Sequence, residues 1–261
     1  MNYETLTIAI ADKVASVTLN RPELRNAFNE QAIAELALAF DELGRNELVR
    51  AIVLAANGPA FCAGADLNWM KKMAGYSIDE NLADASRLAD MLRTIYLCPK
   101  PTVAKVQGDC YAGGMGLVAA CDIVVAADTV NFCLSEVKLG LIPATISPYV
   151  IKAMGEQAAR RYFITAERFD AAAALRMGFA HEVVAADDLD TTVAGLLKSL
   201  VSNSPHAVVE AKKLVREVVG VPVTDALLRD TAERIAAIRA SNEGREGVAS
   251  FLEKRKPNWL N

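Results

Sequence analysis

The stretch Asp109 to Asp122, DCYAGGMGLVAACD, constrains this chain most: three glycines, Gly113, Gly114 and Gly116, head an apolar run that otherwise suits a helix. A glycine inside a helix costs about 1 kcal/mol relative to alanine, so the backbone here must need close approach by something. The first N–H groups of a helix lack internal partners and sit at the positive end of its dipole, where negative charge is welcome. A second segment shares this plan. The strand-like RAIVLAA leads through NGPAF to CAGADLNWMKKM, as TVAKVQG leads through DCY to AGGMGLVAAC. Two such starts facing one another would make a two-donor oxyanion hole. Taken alone, AGG near a helix start reads more simply as a tight turn or close packing. AGGMGL fits neither GxGxxG nor GxxxxGK[ST], which argues against a nucleotide loop.

Around these segments the pattern alternates. TLTIAI and KVASVTL read as neighbouring strands, EQAIAELALAFDELGRN as an amphipathic helix, and RAIVLAA as a buried strand. A second cycle follows, with SIDENLADASRLADMLRTIYL helical and TVAKVQG and DIVVAAD as strands. Past Pro148 strands nearly vanish. Asp170 and Ser204, the latter followed by Pro205, are placed as helix N-caps, and Gly178 as a helix stop. The outline is an α/β core, residues 1–200, followed by a helical region, residues 201–261.

Composition narrows the function classes. With 52% hydrophobic residues in 261, the chain can bury a large core, and 28 basic against 32 acidic residues give no overall attraction to nucleic acid. No apolar stretch reaches a membrane span and the first residues lack a signal pattern, so a cytoplasmic protein without membrane contact is expected. The five cysteines are scattered and never form CxxC, which favours reduced, buried thiols over disulfides or a metal site. His181 and His206 are expected to be satisfied or exposed, and Asp122 structural.

Several runs, in order, carry a resemblance over nearly the whole chain: LNRPELRNAFN, FCAGADL, VQGDCYAGGMGLVAACDIVVAAD, FCLSEVKLGLIPA, GEQAARRYFITAERFDAAAALRMGFAHEVV and FLEKRKPNW. Together these resemble the enoyl-CoA hydratase/isomerase, or crotonase, family. The resemblance implies a spiral of ββα units with a C-terminal helical trimerisation region, a homotrimer or a hexamer of two trimers, and an acyl-CoA thioester as substrate. Coenzyme A would then be part of the substrate, with no further cofactor and no metal. It places the oxyanion donors at the backbone of Ala65 and Gly113 and the general acid/base at Glu136. Substrate contacts would come from Arg25, Ala27, Ala63, Asp66, Leu67, Gly114 and Gly116, with Phe251 and Lys254 reaching a neighbouring subunit's CoA.

The chain departs from the commonest pattern of the family, which carries two glutamates: the first position here is Gly116, leaving Glu136 alone. One carboxylate beside an oxyanion hole can direct water to C3 and a proton to C2, or can shuttle a proton between C2 and C4. Hydration and Δ3,Δ2-isomerisation therefore both stay open, with decarboxylation of a glutaconyl thioester and a non-catalytic RNA- or partner-binding scaffold as lesser readings. The run FCLSEVKLGLIPATISPYVI most resembles the branch that hydrates 3-methylglutaconyl-CoA or isohexenylglutaconyl-CoA. Gly116 is expected to vacate room beside C3 for the branch of such a substrate. Lys71, Lys72 and Lys138 are the cations nearest in sequence to the motifs, and Trp69 and Met70 either line the acyl pocket or belong to the core.

Overall fold

The computed structural model describes residues 3–260. Strands β1 (Leu6–Ala11) and β2 (Val14–Leu19) form an antiparallel hairpin, and α1 (Glu30–Arg45) follows. Three ββα units come next. The first is β3 (Ala51–Ala56), β4 (Ala60–Cys62) and helices α2 (Leu67–Met73) and α3 (Ile78–Leu97). The second is β5 (Thr102–Val106), β6 (Asp109–Tyr111) and α4 (Gly113–Ala120); the third is β7 (Ile123–Ala127), β8 (Asn131–Cys133) and α5 (Ser147–Thr165). A short β9 (Phe169–Asp170), α6 (Ala171–Arg176) and β10 (Glu182–Val184) lead to α7 (Leu189–Ser202), α8 (Pro205–Val218), α9 (Asp225–Ala240) and α10 (Asn242–Leu252).

The first strand of each unit joins a six-stranded sheet of order β1-β2-β3-β5-β7-β10, and the second joins a four-stranded sheet of order β4-β6-β8-β9. This is the mixed α/β crotonase fold that the resemblance implies. The small sheet was not legible in the residue pattern, because AFC, DCY and NFC are strands of three residues, too short to show alternation. By contrast β3, AIVLAA, is buried at every position, as a parallel strand covered on both faces requires.

Helix α4 is apolar all round and buried at seven positions, Gly114 to Ala120, packed among α3, α5, β4 and β6. The C-terminal helices differ: α8 and α9 bury no residue within this chain, and α10 buries Ser250 alone. Ser204 and Asp170 cap α8 and α6 through hydrogen bonds from Ala207 and Ala173. Asp122 pins α8 to the core, taking Lys212 Nζ at 2.6 Å and the Thr102 amide at 2.8 Å. His181 is satisfied, its Nδ1 accepting from the Val124 amide at 3.0 Å. All five cysteines are buried and free, and burial pushes the Cys62 thiol up to about 12, so it stays protonated and inert. Among the described residues no helix is long and apolar enough to cross a membrane.

Candidate active site

Two turns at the C-terminal ends of β4 and β6 meet above the small sheet. In the first, Gly64 takes a φ of +97°, open to glycine and costly for other residues. Ala65 then pairs with Phe28 as an isolated parallel bridge: the Phe28 amide donates to Gly64 O at 2.9 Å and the Asp66 amide to Phe28 O at 3.0 Å. Asp66 is the N-cap of α2. Its Oδ1 accepts from the amides of Asn68 and Trp69 at 2.8 and 3.4 Å, and its Oδ2 from Arg21 Nη2 at 2.9 Å. Burial alone would raise the Asp66 pKa, but the Asn68 amide, the Arg21 guanidinium and the Trp69 amide outweigh it, and the net shift is downward.

The second turn is built without side-chain hydrogen bonds. Ala112 precedes α4 at φ +48°, ψ −123°, a strained conformation for a residue with a Cβ. Its amide donates to Cys133 O at 2.8 Å, which anchors the turn on β8. Gly113 follows as the first residue of α4, and a Cβ there would lie 2.4 Å from Phe28 Cζ. The two turns touch, since a Cβ on Gly64 would lie 3.1 Å from that of Ala112. Phe28 thus joins them, through its backbone on one side and its ring on the other. Among the described residues, neither the Ala65 nor the Gly113 amide donates to a protein acceptor.

Ala65 and Gly113 line one cavity of about 610 Å³ together with Glu136. Glu136 opens a one-turn helix, Glu136–Leu139, that follows β8. Its Oε2 is buried with no hydrogen-bond partner, and burial raises its pKa above the usual 4.5, outweighing the opposing hydrogen bond from its own amide. Phe28, Trp69, Leu88, Ile142 and Ile146 supply much of the apolar wall. No Lys, Arg or His lines it among the described residues.

Three expected contacts, at Asp66, Gly114 and Gly116, are corrected. The Asp66 side chain is committed to capping α2 and to Arg21, so it positions the turn and does not face the cavity. Leu67, the first residue of α2, is 74% exposed and does not border this cavity. Gly114 is buried under β4, where a Cβ would lie 2.8 Å from that of Cys62. The room expected at Gly116 is filled: a Cβ there would lie 2.3 Å from Ile146 Cγ2 and 3.5 Å from Leu92 Cδ2, so the glycine admits Ile146 and not substrate. The first helix start is also not open to an anion, since Asp66 occupies it; Ala65 lies one residue before the cap.

Arg25 and Ala63 border a separate hollow of about 260 Å³ with Asp109 and Tyr111. The Ala63 amide is held by Arg25 O at 3.0 Å, and Ala27 is buried with its carbonyl accepting from Arg21 Nη1 at 2.7 Å. Phe251 is 81% exposed, and neither it nor Lys254 borders either hollow of this chain. Of the cations considered from sequence, Lys72 pairs with Glu30 at 3.0 Å. Trp69 lines the acyl cavity and Met70 does not.

The sequence reading missed Phe28 and, on α3, Asn81 and Asp84, both of which border the cavity. The available signal was Asp84 itself. It stands on the stripe that continues through Leu88, Met91, Leu92 and Ile95, the inward face of an amphipathic helix, where a carboxylate is out of place.

With fold and geometry in view, comparison with known proteins places the chain. The family model for enoyl-CoA hydratase/isomerase matches residues 9–261, and the chain belongs to that family of enzymes. Among relatives, the enoyl-CoA hydratase AKT6-1 of Alternaria alternata is 35% identical over 246 residues, 92% of this chain and 78% of that one. The crystal structure of an enoyl-CoA hydratase from Shewanella pealeana superposes with a TM-score of 0.95 at 45% identity, covering 98% of this chain and 96% of that one. Pseudomonas aeruginosa AtuE superposes with a TM-score of 0.94 at 34% identity, covering 99% and 100%.

Proposed function

We propose that the protein adds water across the 2,3 double bond of an enoyl-CoA. The observation that carries this reading is an unpartnered, buried Glu136 oxygen in the same cavity as two free amides. The Ala65 and Gly113 N–H groups would receive the charge that develops on the thioester oxygen, a contribution of about 3 to 4 kcal/mol for each such donor. Glu136, its pKa raised by burial, would take a proton from water as oxygen bonds to C3 and return it to C2. Water addition changes no oxidation state, so coenzyme A as part of the substrate is sufficient. The CoA portion is assigned to the hollow at Arg25 and Ala63. Phe251 and Lys254, exposed on the C-terminal helical region, are assigned to a neighbouring copy in a homotrimer or hexamer.

For the acyl chain we propose a C3-branched, glutaconyl-type substrate such as 3-methylglutaconyl-CoA. The support is the run Phe132 to Ile151, whose segment Leu141 to Ile146 forms one wall of the cavity. Its distal carboxylate needs a cation, and Lys72 on α2 and Arg87 on α3 are the candidates, each now paired with a carboxylate.

Turnover of 3-methylglutaconyl-CoA, its neutral counterpart 3-methylcrotonyl-CoA and a 3-enoyl-CoA, followed by mass, tests both levels. Gain of one water by the first, with kcat/KM above that for the second, is expected. Preference for the neutral ester overturns the glutaconyl assignment alone, and a moved double bond without water gain overturns the hydratase reading. Glu136→Gln should lower kcat by at least about 1,000-fold without lowering the melting temperature. A carboxylate whose folded pKa is raised weakens the fold as pH climbs through that value, so removing its charge does not destabilise at neutral pH. The acid limb of kcat/KM should lie above 4.5.

A further inference from the structure

The acyl cavity contains a second carboxylate to which the reading above gives no chemical task. Asp84 is 3% exposed, yet it borders the same cavity as Glu136. One of its oxygens accepts from Arg87 Nη2 at 2.7 Å, and the other has no protein partner among the described residues. One turn earlier Asn81 also borders the cavity. Its amide nitrogen is committed to the carbonyls of Tyr76 and Ser77, at 3.2 and 3.1 Å. This face of α3 therefore presents acceptors only: the free Asp84 oxygen and the Asn81 carbonyl oxygen. Ala85 and Leu88 beside them are apolar. The free Asp84 oxygen is accessible, and a carboxylate oxygen left open on such a wall takes a hydrogen-bond donor such as water. Helix α4 cannot supply a further polar group here, because Ile146 covers Gly116.

We propose that Asp84 holds the attacking water; the proposal rests on the hydratase reading. The water donates one hydrogen to the free Asp84 oxygen and the other to Glu136. Its oxygen then bonds to C3, the 2,3 π pair moves into an enolate held by the Ala65 and Gly113 amides, and Glu136 takes the proton. Glu136 returns that proton to C2 as the enolate reverts to the thioester. The balance is one water added, and Asp84 exchanges no proton.

The test compares Asp84→Asn, Asp84→Ala and Asp84→Glu with the unaltered protein in two assays: hydration of the enoyl-CoA, and exchange of the C2 hydrogens of a saturated acyl-CoA with deuterium oxide, which needs Glu136 and no attacking water. Loss of water alignment should lower hydration kcat about 100-fold in the Asn and Ala variants with KM within about threefold. Deuterium exchange should fall far less, which also reports an intact fold, and Asp84→Glu should recover part of the hydration rate. The proposal is overturned if KM rises while kcat holds, because Asp84 then binds the acyl chain. It is equally overturned if exchange falls in step with hydration. An unaltered protein that exchanges C2 hydrogens but hydrates no enoyl-CoA would remove the hydratase reading, and this proposal with it.

Discussion

The turn carrying Ala65 and the turn carrying Gly113 present the same group, a free backbone N–H, to the same cavity, yet they are held by opposite means. The first is a polar clamp. Asp66 caps α2 and binds Arg21, and Arg21 in turn holds the Ala27 carbonyl. The second is steric: Ala112 sits strained at φ +48°, Phe28 closes on Gly113, and Ile146 packs into the space at Gly116. A polar clamp sets direction and is sensitive to charge. A steric one is sensitive to single atoms and indifferent to pH. The two turns are held by different chemistry but share Phe28, whose backbone pairs with the first and whose ring packs on the second.

Removing the polar clamp should give the largest effect that separates the turns. Asp66→Ala leaves Arg21 without its carboxylate and α2 uncapped, an expected loss of about 3 kcal/mol in denaturant unfolding, with kcat/KM down about 100-fold as the Ala65 amide loses its aim. Asp66→Asn keeps a capping oxygen and should lose less; equal losses in both variants would break the distinction. Next in size is Gly116→Ala, which drives a methyl into Ile146 and should cost about 2 kcal/mol. Adding Ile146→Ala should return part of that cost, and strict additivity in the double-mutant cycle would show that the contact is not what holds the second turn.

Ala112→Gly should have a smaller effect and of opposite sign. Relief of about 1 to 3 kcal/mol of backbone strain is offset by glycine's entropy, so stability should match or slightly exceed the parent. Activity is then the readout: a lower kcat in a protein at least as stable would identify the strain as an aiming device. Smallest is the pH response. The folded pKa of Asp66 lies below its ordinary 3.8, so its contribution is complete above 3.8 and is lost as pH falls through the lower folded value. Melting temperatures measured across that window should show a shallower acid limb for Asp66→Asn, while Ala112→Gly should shift the curve without changing its shape.

Much of this was readable from the residues. The long strands and the caps at Asp170 and Ser204 follow from periodicity and local chemistry, and Asp122 was expected to be structural without its partner Lys212 being legible. The pairing of the two glycine turns was readable too, since each sits after a strand and before a helix. The small sheet was not readable, because three-residue strands carry no period. Nor was the fate of the glycines: Gly113, Gly114 and Gly116 look alike in sequence, but one carries a donor at the cavity, one lies against Cys62 and one admits Ile146. What lies opposite a glycine is set by residues 30 to 90 positions away.

The sequence by itself determined the α/β alternation and the family, because these depend on local pattern and on motifs that are contiguous along the chain. Only the tertiary structure decided that Asp66 serves its own helix, that Ile146 closes the space at Gly116 and that Asp84 faces the cavity. Those are contacts between distant segments, and a side chain's surroundings in a close-packed interior are fixed by which segments meet there.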